Sequence, residues 1–100
     1  MHLLQTNISS ISKLCAKHKV KNLYAFGSII NDQFTSKSDV DLIVRFNDMD
    51  LHNYADNYFD LKFSLETLLN RSVDLIEEKA IRNPYFKNSV KSARKLIYGN

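Results

Sequence analysis

The segment LYAFGSIINDQFTSKSDVDLIVR, residues 23–45, decides the fold predicted for this chain. It starts with four apolar residues, turns at Gly27 and ends in a second apolar run. That run is rich in the β-branched and aromatic residues that suit a pleated, mostly buried surface. The segment therefore predicts a short strand over 23–26, a helical turn over 29–34 and a longer strand over 39–46.

Outward from this segment, periodicity predicts three helices and one more strand. Apolar residues recur at steps of three and four, the spacing of one helix face, over 7–19 and 53–69. A short apolar run predicts a third strand over 72–77. Asn83, with a proline after it, predicts the cap of a last helix that Gly99 ends. The residues expected on one face of that helix are Phe86, Val90, Ala93 and Ile97. An aromatic stripe expected in the core of the second helix comprises Tyr54, Tyr58, Phe59 and Phe63.

Helices and strands therefore alternate along the whole chain, an order that favours a sheet covered by helices. The 100 residues suit one domain, residues 1–100, of the α/β (α+β) class. The directions of the strands stay open, because the two strands around Gly27 are close enough in sequence to run either way.

Composition excludes several classes of site. The 14 Lys+Arg exceed the 11 Asp+Glu by only three charges, a mild excess that is compatible with a triphosphate and is weak evidence for nucleic acid. Cys15 is the only cysteine, so no internal disulfide and no cysteine-based zinc site can form. Its apolar neighbours predict that Cys15 is a small buried hydrophobe.

No apolar run reaches the roughly 18 residues that a membrane-spanning helix needs. The first residues, MHLLQTNISSISK, lack the basic region and long apolar stretch of a signal peptide. These features predict a cytoplasmic, reducing compartment and no membrane partner.

The dipeptide Gly27-Ser28 follows one predicted strand and precedes the predicted helical turn. Glycine lets a backbone approach a phosphate closely, and the N–H groups at a helix start attract anions. The Ser28 hydroxyl can donate a further hydrogen bond to a phosphate oxygen. Gly-Ser is also a common turn dipeptide, so by itself it indicates only a turn.

Asp39 and Asp41 stand at the start of the longest predicted strand, with one residue between them. Alternation along a strand directs both side chains to the same face. Two carboxylates so close repel each other unless a cation lies between them, and Mg²⁺ prefers carboxylate, phosphate and water oxygens. An isolated Asp-x-Asp pair is nevertheless more often a solvated strand end.

Asp74 stands between apolar residues in the third predicted strand. A carboxylate there is costly unless something binds it. If this strand lies beside the strand over 39–46, Asp74 reaches the same site as the other two aspartates. An edge-strand aspartate that faces water is the simpler explanation when the residue is considered alone.

Gly-Ser, ten residues, Asp-x-Asp and a later Asp together resemble the DNA polymerase β-type nucleotidyltransferase superfamily. The small size resembles its minimal nucleotidyltransferase (MNT) branch, and the final stretch VDLIEEKAIRNPYFKNSVKSARKLIYG is similar to the closing strand and helix of MNT proteins. The likeness covers about Leu23 to Gly99. It implies the polymerase β-type fold, with a small mixed sheet of three or more strands covered by helices.

The resemblance also implies roles for single residues. Gly27 and Ser28 would hold the triphosphate. Asp39 and Asp41 would bind both Mg²⁺ ions, and Asp74 would bind the catalytic ion and help to deprotonate the attacking hydroxyl. The two ions would stabilise the attacking and leaving oxygens while pyrophosphate departs.

One departure from the family pattern lies directly after Gly-Ser. Many relatives carry a basic residue and a glycine there, whereas this chain has Ile29-Ile30-Asn31-Asp32. Positive charge for the phosphates must then come from elsewhere, and Lys37 and Arg45 are the candidates.

The resemblance implies transfer of AMP from ATP, or of a nucleotide from another nucleoside triphosphate, to a hydroxyl on a partner macromolecule. In MNT relatives the acceptor is often a helical RNase toxin of the HEPN class, and the MNT chain is its antitoxin. We therefore expect a HEPN-type partner and no direct nucleic-acid binding, while homo-oligomerisation stays open. Two alternatives remain: a catalytically silent module that neutralises a partner by direct contact, and a small RNA-binding domain.

Overall fold

The computed structural model describes residues 1–31 and 34–99, which form an α/β arrangement of four helices and four strands. In chain order the elements are α1 (His2–Thr6), α2 (Ile8–Lys17), β1 (Val20–Phe26), a first 3₁₀ turn (Gly27–Ile30), β2 (Val40–Phe46), α3 (Leu51–Leu69), β3 (Val73–Glu77), a second 3₁₀ turn (Glu78–Ala80), α4 (Pro84–Ala93) and β4 (Lys95–Tyr98). The predicted α/β class is confirmed. Within the described residues, no helix is both long and apolar enough to cross a bilayer.

The four strands form one mixed sheet in the order β3-β2-β1-β4. β1 runs antiparallel to both β2 and β4, whereas β2 and β3 are parallel. Parallel neighbours need a crossover connection, and α3 is the crossover between β2 and β3. The mixed sheet covered by helices, expected from the resemblance, is confirmed.

Helices cover both faces of the sheet. On one face, α2 contributes Ile11 and Cys15 to the larger hydrophobic cluster, and α3 contributes leucines at steps of four, namely Leu61, Leu65 and Leu69. On the other face, Val90 of α4 packs against Tyr24 and Ile43. Burial raises the pKa of the Cys15 thiol to about 12, which agrees with its predicted role as a buried apolar residue.

Side-chain caps set where α3 and α4 begin. Asp50 accepts a hydrogen bond from the His52 amide at 3.1 Å, so α3 starts two residues before the predicted boundary. The Asn83 side chain accepts hydrogen bonds from the amides of Tyr85 and Phe86, at 2.9 and 3.2 Å. The predicted cap of the last helix is therefore confirmed.

The predicted extent of the last helix is wrong. The helix ends at Ala93, and the residues that follow form β4, which pairs with the otherwise free edge of β1. Ile97 consequently packs against the larger cluster, on the opposite side of the sheet from Val90. Gly99 follows β4 rather than a helix; its φ is +95°, and a Cβ there would lie 2.2 Å from the Lys21 carbonyl oxygen.

The helical turn predicted over 29–34 is also misplaced. The 3₁₀ turn begins at Gly27 itself, and Asn31 is already extended, with φ −134° and ψ −177°. The predicted residues Asp32 and Gln33 lie outside the described part of the chain. A bend that starts at the glycine brings Ser28 directly to the end of β1.

At the N-terminus, the periodicity over 7–19 predicts α2 but not the separate helix before it. Asn7 has φ −105° and ψ 13° and divides α1 from α2. The only buried residue of α1 is Leu4, so the pattern there was too short to indicate a helix.

The aromatic stripe of α3 is only half in the core. Tyr54 and Tyr58 pack against the larger cluster, whereas Phe59 and Phe63 are 50% and 56% exposed. The leucines of α3 occupy the centre of its buried face, so the two phenylalanines fall on its rim.

Candidate active site

Two of the three predicted carboxylates face each other across neighbouring strands. The parallel register of β2 and β3 pairs Asp41 with Asp74. Residues directly opposite in a ladder project to the same face of the sheet. Asp39 lies just before Val40, the first residue of β2, and its negative charge acts on the Asp41 carboxyl. The structure therefore brings Asp39, Asp41 and Asp74 to one corner of the sheet.

The electrostatic environment of Asp41 reflects this crowding. Burial raises the pKa of the Asp41 carboxyl above its usual value, and the negative charges of Asp74 and Asp39 raise it further. Asp39 and Asp74 are exposed, and Asp41 is half-buried between the strands. A cation placed among the three groups would relieve their repulsion.

The Gly27 bend lies against the same carboxylate. Phe26, the last residue of β1, is the register partner of Asp41. Gly27 has φ +75°, and a Cβ at this position would lie 2.5 Å from Asp41 Oδ2. The site therefore needs glycine for two reasons, the left-handed backbone and the close approach of the carboxylate. Ser28 follows at once, half-buried at the start of the first 3₁₀ turn.

An open cleft of about 500 Å³ adjoins the bend. The first 3₁₀ turn and α4 form its walls, where Phe26 and Phe86 meet edge to face with ring centroids 6.1 Å apart. A larger groove of about 570 Å³ between α2 and α3 is lined by none of the three aspartates. None of the three aspartates lines the cleft beside Gly27 either, but Gly27 itself does, so this cleft lies next to the backbone that the Asp41 carboxylate approaches.

The donor set suits a metal ion only in part. In the described ranges 1–31 and 34–99, no three side chains of His, Cys, Asp or Glu are close enough together to hold a metal ion by themselves. The oxygens of Asp41 and Asp74 are nevertheless the hard ligands that Mg²⁺ prefers. Mg²⁺ is usually held by one or two carboxylates together with substrate phosphates and water, rather than by an all-protein cage. The residues present therefore fit an ion that arrives with a phosphate ligand.

Of the two basic residues considered for the phosphates, Arg45 has another role. Arg45 lies in β2, four residues after Asp41. Its Nε is 3.2 Å from Glu78 Oε2. Lys37 is exposed in the turn that precedes Asp39. Arg45 is thus engaged in an ion pair, and Lys37 stays the predicted source of positive charge.

Arg71 is not among the site residues predicted from the sequence. Its Nη1 donates hydrogen bonds to the carbonyl oxygens of Thr35 and Ser38, at 2.9 and 2.8 Å, in the segment that leads to Asp39. A basic residue three positions before Asp74 is the one signal available, and no periodicity indicates where its side chain goes.

Comparison with known proteins finds a matching family model and several similar proteins. The model of the polymerase beta nucleotidyltransferase family matches residues 9–100. A protein of Methanocaldococcus jannaschii that is assigned as a protein adenylyltransferase is 39% identical over 82 residues, which make up 82% of this chain and 79% of the relative.

Two solved structures are also similar. A protein assigned as a minimal nucleotidyltransferase superposes with a TM-score of 0.78 at 27% identity, over 92% of this chain and 90% of the other. A chain of a toxin–antitoxin complex determined with AMP-PNP superposes with a TM-score of 0.73 at 25% identity, over 94% of this chain and 74% of the other. The family match, over residues 9–100, includes the strands and the bend that carry the candidate site.

Proposed function

Because this chain belongs to the polymerase beta nucleotidyltransferase family, we propose that it transfers AMP from ATP to a hydroxyl group of a partner protein. The family supplies the reaction class, nucleotidyl transfer. The nucleotide, the acceptor and the metal ions are the proposed parts. The observation that carries the proposal is the pairing of Asp41 with Asp74 beside the Gly27 bend.

Gly27 and Ser28 are the proposed phosphate-binding residues. The absence of a side chain at Gly27 lets the triphosphate approach the backbone next to the Asp41 carboxylate. The Ser28 hydroxyl donates to a phosphate oxygen. The adjoining cleft leaves room for the rest of the nucleotide between the first 3₁₀ turn and α4.

Asp39, Asp41 and Asp74 are the proposed ligands of two Mg²⁺ ions. Such ions, when bound with ATP, supply Lewis-acid stabilisation to the attacking and leaving oxygens. The charges of Asp39 and Asp74 both act on Asp41, so the three carboxylates would hold the ions together, and exposed Asp74 would accept the proton of the acceptor hydroxyl. The acceptor oxygen then bonds to the α-phosphorus, the bond to the β-phosphate oxygen breaks, and pyrophosphate leaves.

A HEPN-type toxin is the proposed acceptor. The support is the similarity to a chain of a toxin–antitoxin complex that was determined with AMP-PNP, a close analogue of ATP. The M. jannaschii relative, assigned as a protein adenylyltransferase, supports a protein rather than a nucleic acid as the acceptor. The chain would thereby act as the antitoxin of the pair.

The proposal is tested by incubating the chain with α-labelled ATP, Mg²⁺ and the HEPN-type protein encoded beside it. We expect label on the partner, and a loss of at least about 100-fold in the rate for Asp39→Ala combined with Asp41→Ala. Asp48→Ala is the matched control, because Asp48 is an exposed acid in the loop after β2.

Two results would contradict the proposal: no label transfer by the wild-type chain, or equal transfer by the double variant. Neutralisation of the toxin should be measured alongside. If the double variant still neutralises the toxin fully, the chain acts by direct contact instead.

A further inference from the structure

The chain immediately before β2 forms a turn closed by its own hydrogen bonds. The Ser38 amide donates to the Thr35 carbonyl at 3.1 Å, and the Thr35 amide donates to Ser38 Oγ at 3.0 Å. We call residues 35–38 the Asp39 turn, because it ends one residue before Asp39. Its position sets where the exposed Asp39 side chain starts.

Arg71 contacts both ends of the Asp39 turn. Its Nη1 donates to the carbonyl oxygens of Thr35 and Ser38, at 2.9 and 2.8 Å. Its guanidinium carbon lies 4.6 Å from the centre of the Phe34 ring. A planar guanidinium combines stacking with several hydrogen bonds, which the ammonium of lysine does not. The Arg71 side chain thus contacts the turn at its first and last residues and the Phe34 ring just before it.

The backbone of Arg71 is itself well supported. α3 ends at Leu69, and the next residue, Asn70, adopts the left-handed conformation with φ 53° and ψ 44°. The Arg71 amide donates to the Glu66 carbonyl at 3.4 Å, and the Glu66 side chain accepts from the Val73 amide at 2.9 Å. The junction between α3 and β3 is therefore a rigid base from which the guanidinium reaches the Asp39 turn.

This junction also leads directly to Asp74. The Val40 amide donates to the Ser72 carbonyl at 2.9 Å, beside the first register pair of the β2–β3 ladder. Arg71 therefore lies between the two segments that carry Asp39 and Asp74. Its side chain ties the first segment to the backbone of the second.

We propose that Arg71 is a positioning residue that holds Asp39 at a fixed distance from Asp74, so that both carboxylates reach one divalent ion. The inference rests on the proposed function, because it assumes that these aspartates bind the metal together with the nucleotide. Asp39 is exposed, and the hydrogen bonds of Arg71 go to the backbone just before it. Removal of Arg71 leaves both aspartates in the chain, but the backbone before Asp39 loses the hydrogen bonds that hold it.

The expected effect follows from the cost of loosening a ligand. Residues that orient metal ligands without touching the ion change metal affinity by about 10- to 100-fold when they are removed. The Asp39 turn keeps its internal hydrogen bonds without Arg71, so the fold should survive. We expect Arg71→Ala to weaken binding at least about tenfold while the protein remains folded.

The experiment measures Mn²⁺ binding to the full chain in the presence of AMP-PNP, by calorimetry, for wild type, Arg71→Ala and Arg71→Lys. Arg82→Ala is the matched control, because Arg82 is an exposed arginine between the second 3₁₀ turn and α4. We expect wild-type affinity for the control, a loss of at least about tenfold for Arg71→Ala and a smaller loss for Arg71→Lys. Circular dichroism checks that each variant is folded.

A second readout separates positioning from general damage. With partner and ATP, excess Mg²⁺ should restore most of the rate of Arg71→Ala, because saturation compensates for weak binding. Excess Mg²⁺ should not restore Asp39→Ala, which lacks the ligand. A rate defect of Arg71→Ala that no Mg²⁺ concentration relieves would argue against a positioning role.

The inference is overturned if Arg71→Ala binds Mn²⁺ with AMP-PNP as tightly as wild type. If Arg71→Ala does not fold, Arg71→Lys decides, and equal affinity for that variant overturns the inference. Wild type that binds Mn²⁺ normally but transfers no AMP would remove the proposed function and leave the Arg71 inference standing. Wild type that binds no Mn²⁺ overturns both.

Discussion

The Asp41 carboxylate is partly buried, lies near two other carboxylates and approaches the backbone at Gly27. Burial and the two neighbouring carboxylates make its negative charge less favourable in the folded protein. A group that is kept charged against its surroundings is characteristic of a binding or catalytic site. At the scale of single residues, three carboxylates repel one another at this corner of the sheet, and a cation bound among them would relieve that repulsion.

Asp41→Asn should therefore stabilise the protein when divalent ions are absent. The pKa of Asp41 is raised in the folded state. The charge of Asp41 therefore opposes folding increasingly as the pH rises from its unfolded-state pKa through its folded-state pKa. Near neutral pH, loss of the charge should raise the thermal midpoint by about 2 °C, a small shift because solvent screens the group. Differential scanning fluorimetry in EDTA measures it.

When Mn²⁺ and AMP-PNP are added, the thermal midpoint of wild type should instead lie above that of Asp41→Asn. Wild type should gain stability from the ligand, whereas Asp41→Asn should gain little, because it lacks one ligand of the ion. A lower midpoint for Asp41→Asn in EDTA would show that the carboxylate supports the fold rather than the site.

At the scale of elements, Glu78 connects three parts of the α4 side of the sheet. It lies in the second 3₁₀ turn, and its oxygens lie 3.2 Å from Arg45 Nε and 3.0 Å from Arg94 Nη1. The guanidinium of Arg94 also lies 3.8 Å above the Tyr24 ring. Arg94 stands between α4 and β4, so this cluster fixes the point at which the chain stops being helical and joins the sheet.

Glu78→Gln should destabilise the protein by about 1–3 kcal/mol, because it leaves two arginines without their shared anion. The estimate is below that for a fully buried pair, since Arg45 is 39% exposed. Urea unfolding followed by circular dichroism measures the change, with Asp48→Asn as an exposed control. No loss relative to that control would mean that packing of Tyr24 and Val90 alone holds α4.

At the scale of the whole molecule, the buried His18 connects α2 to α3, the two helices that pack on the larger hydrophobic cluster. His18 Nδ1 donates to the Leu14 carbonyl and Nε2 donates to Asp60 Oδ2, each at 2.7 Å. Because both partners are acceptors, both ring nitrogens must carry protons for both bonds to form. The hydrogen bond from His18 holds the pKa of the Asp60 carboxyl below its usual range, with a smaller contribution from Lys17.

The stability of the whole domain should consequently fall in acid. A carboxyl with a lowered pKa in the folded state stabilises the protein above its unfolded-state value of 3.8, and this stabilisation is lost as the pH falls through the folded-state value. Urea unfolding at a series of pH values between about 5 and 3 measures the decline. Asp60→Asn should flatten part of it, and an unchanged slope in this variant would assign the acid sensitivity to other carboxyls.

Much of the candidate site could be predicted from the sequence, because its features are local. The alternation of side chains along a strand predicts that Asp39 and Asp41 share one face whatever the strand pairs with, and in the structure β2 begins at Val40, between them. A glycine directly after an apolar strand predicts a bend that only a residue without Cβ adopts easily, and Gly27 has φ +75°. The roles of these residues in catalysis stay predictions.

Other features depended on contacts between residues that are distant in sequence. Residues 95–98 continue a helical pattern, yet they form β4, because the free edge of β1 offers backbone hydrogen bonds and cover for Ile97. The reach of Arg71 to the Asp39 turn likewise exists only once β3 lies beside β2. Local periodicity decides which way a side chain points along its own element. Burial and hydrogen bonding in the packed protein decide which elements become neighbours. They therefore determine which residues contact Asp41 and Arg71.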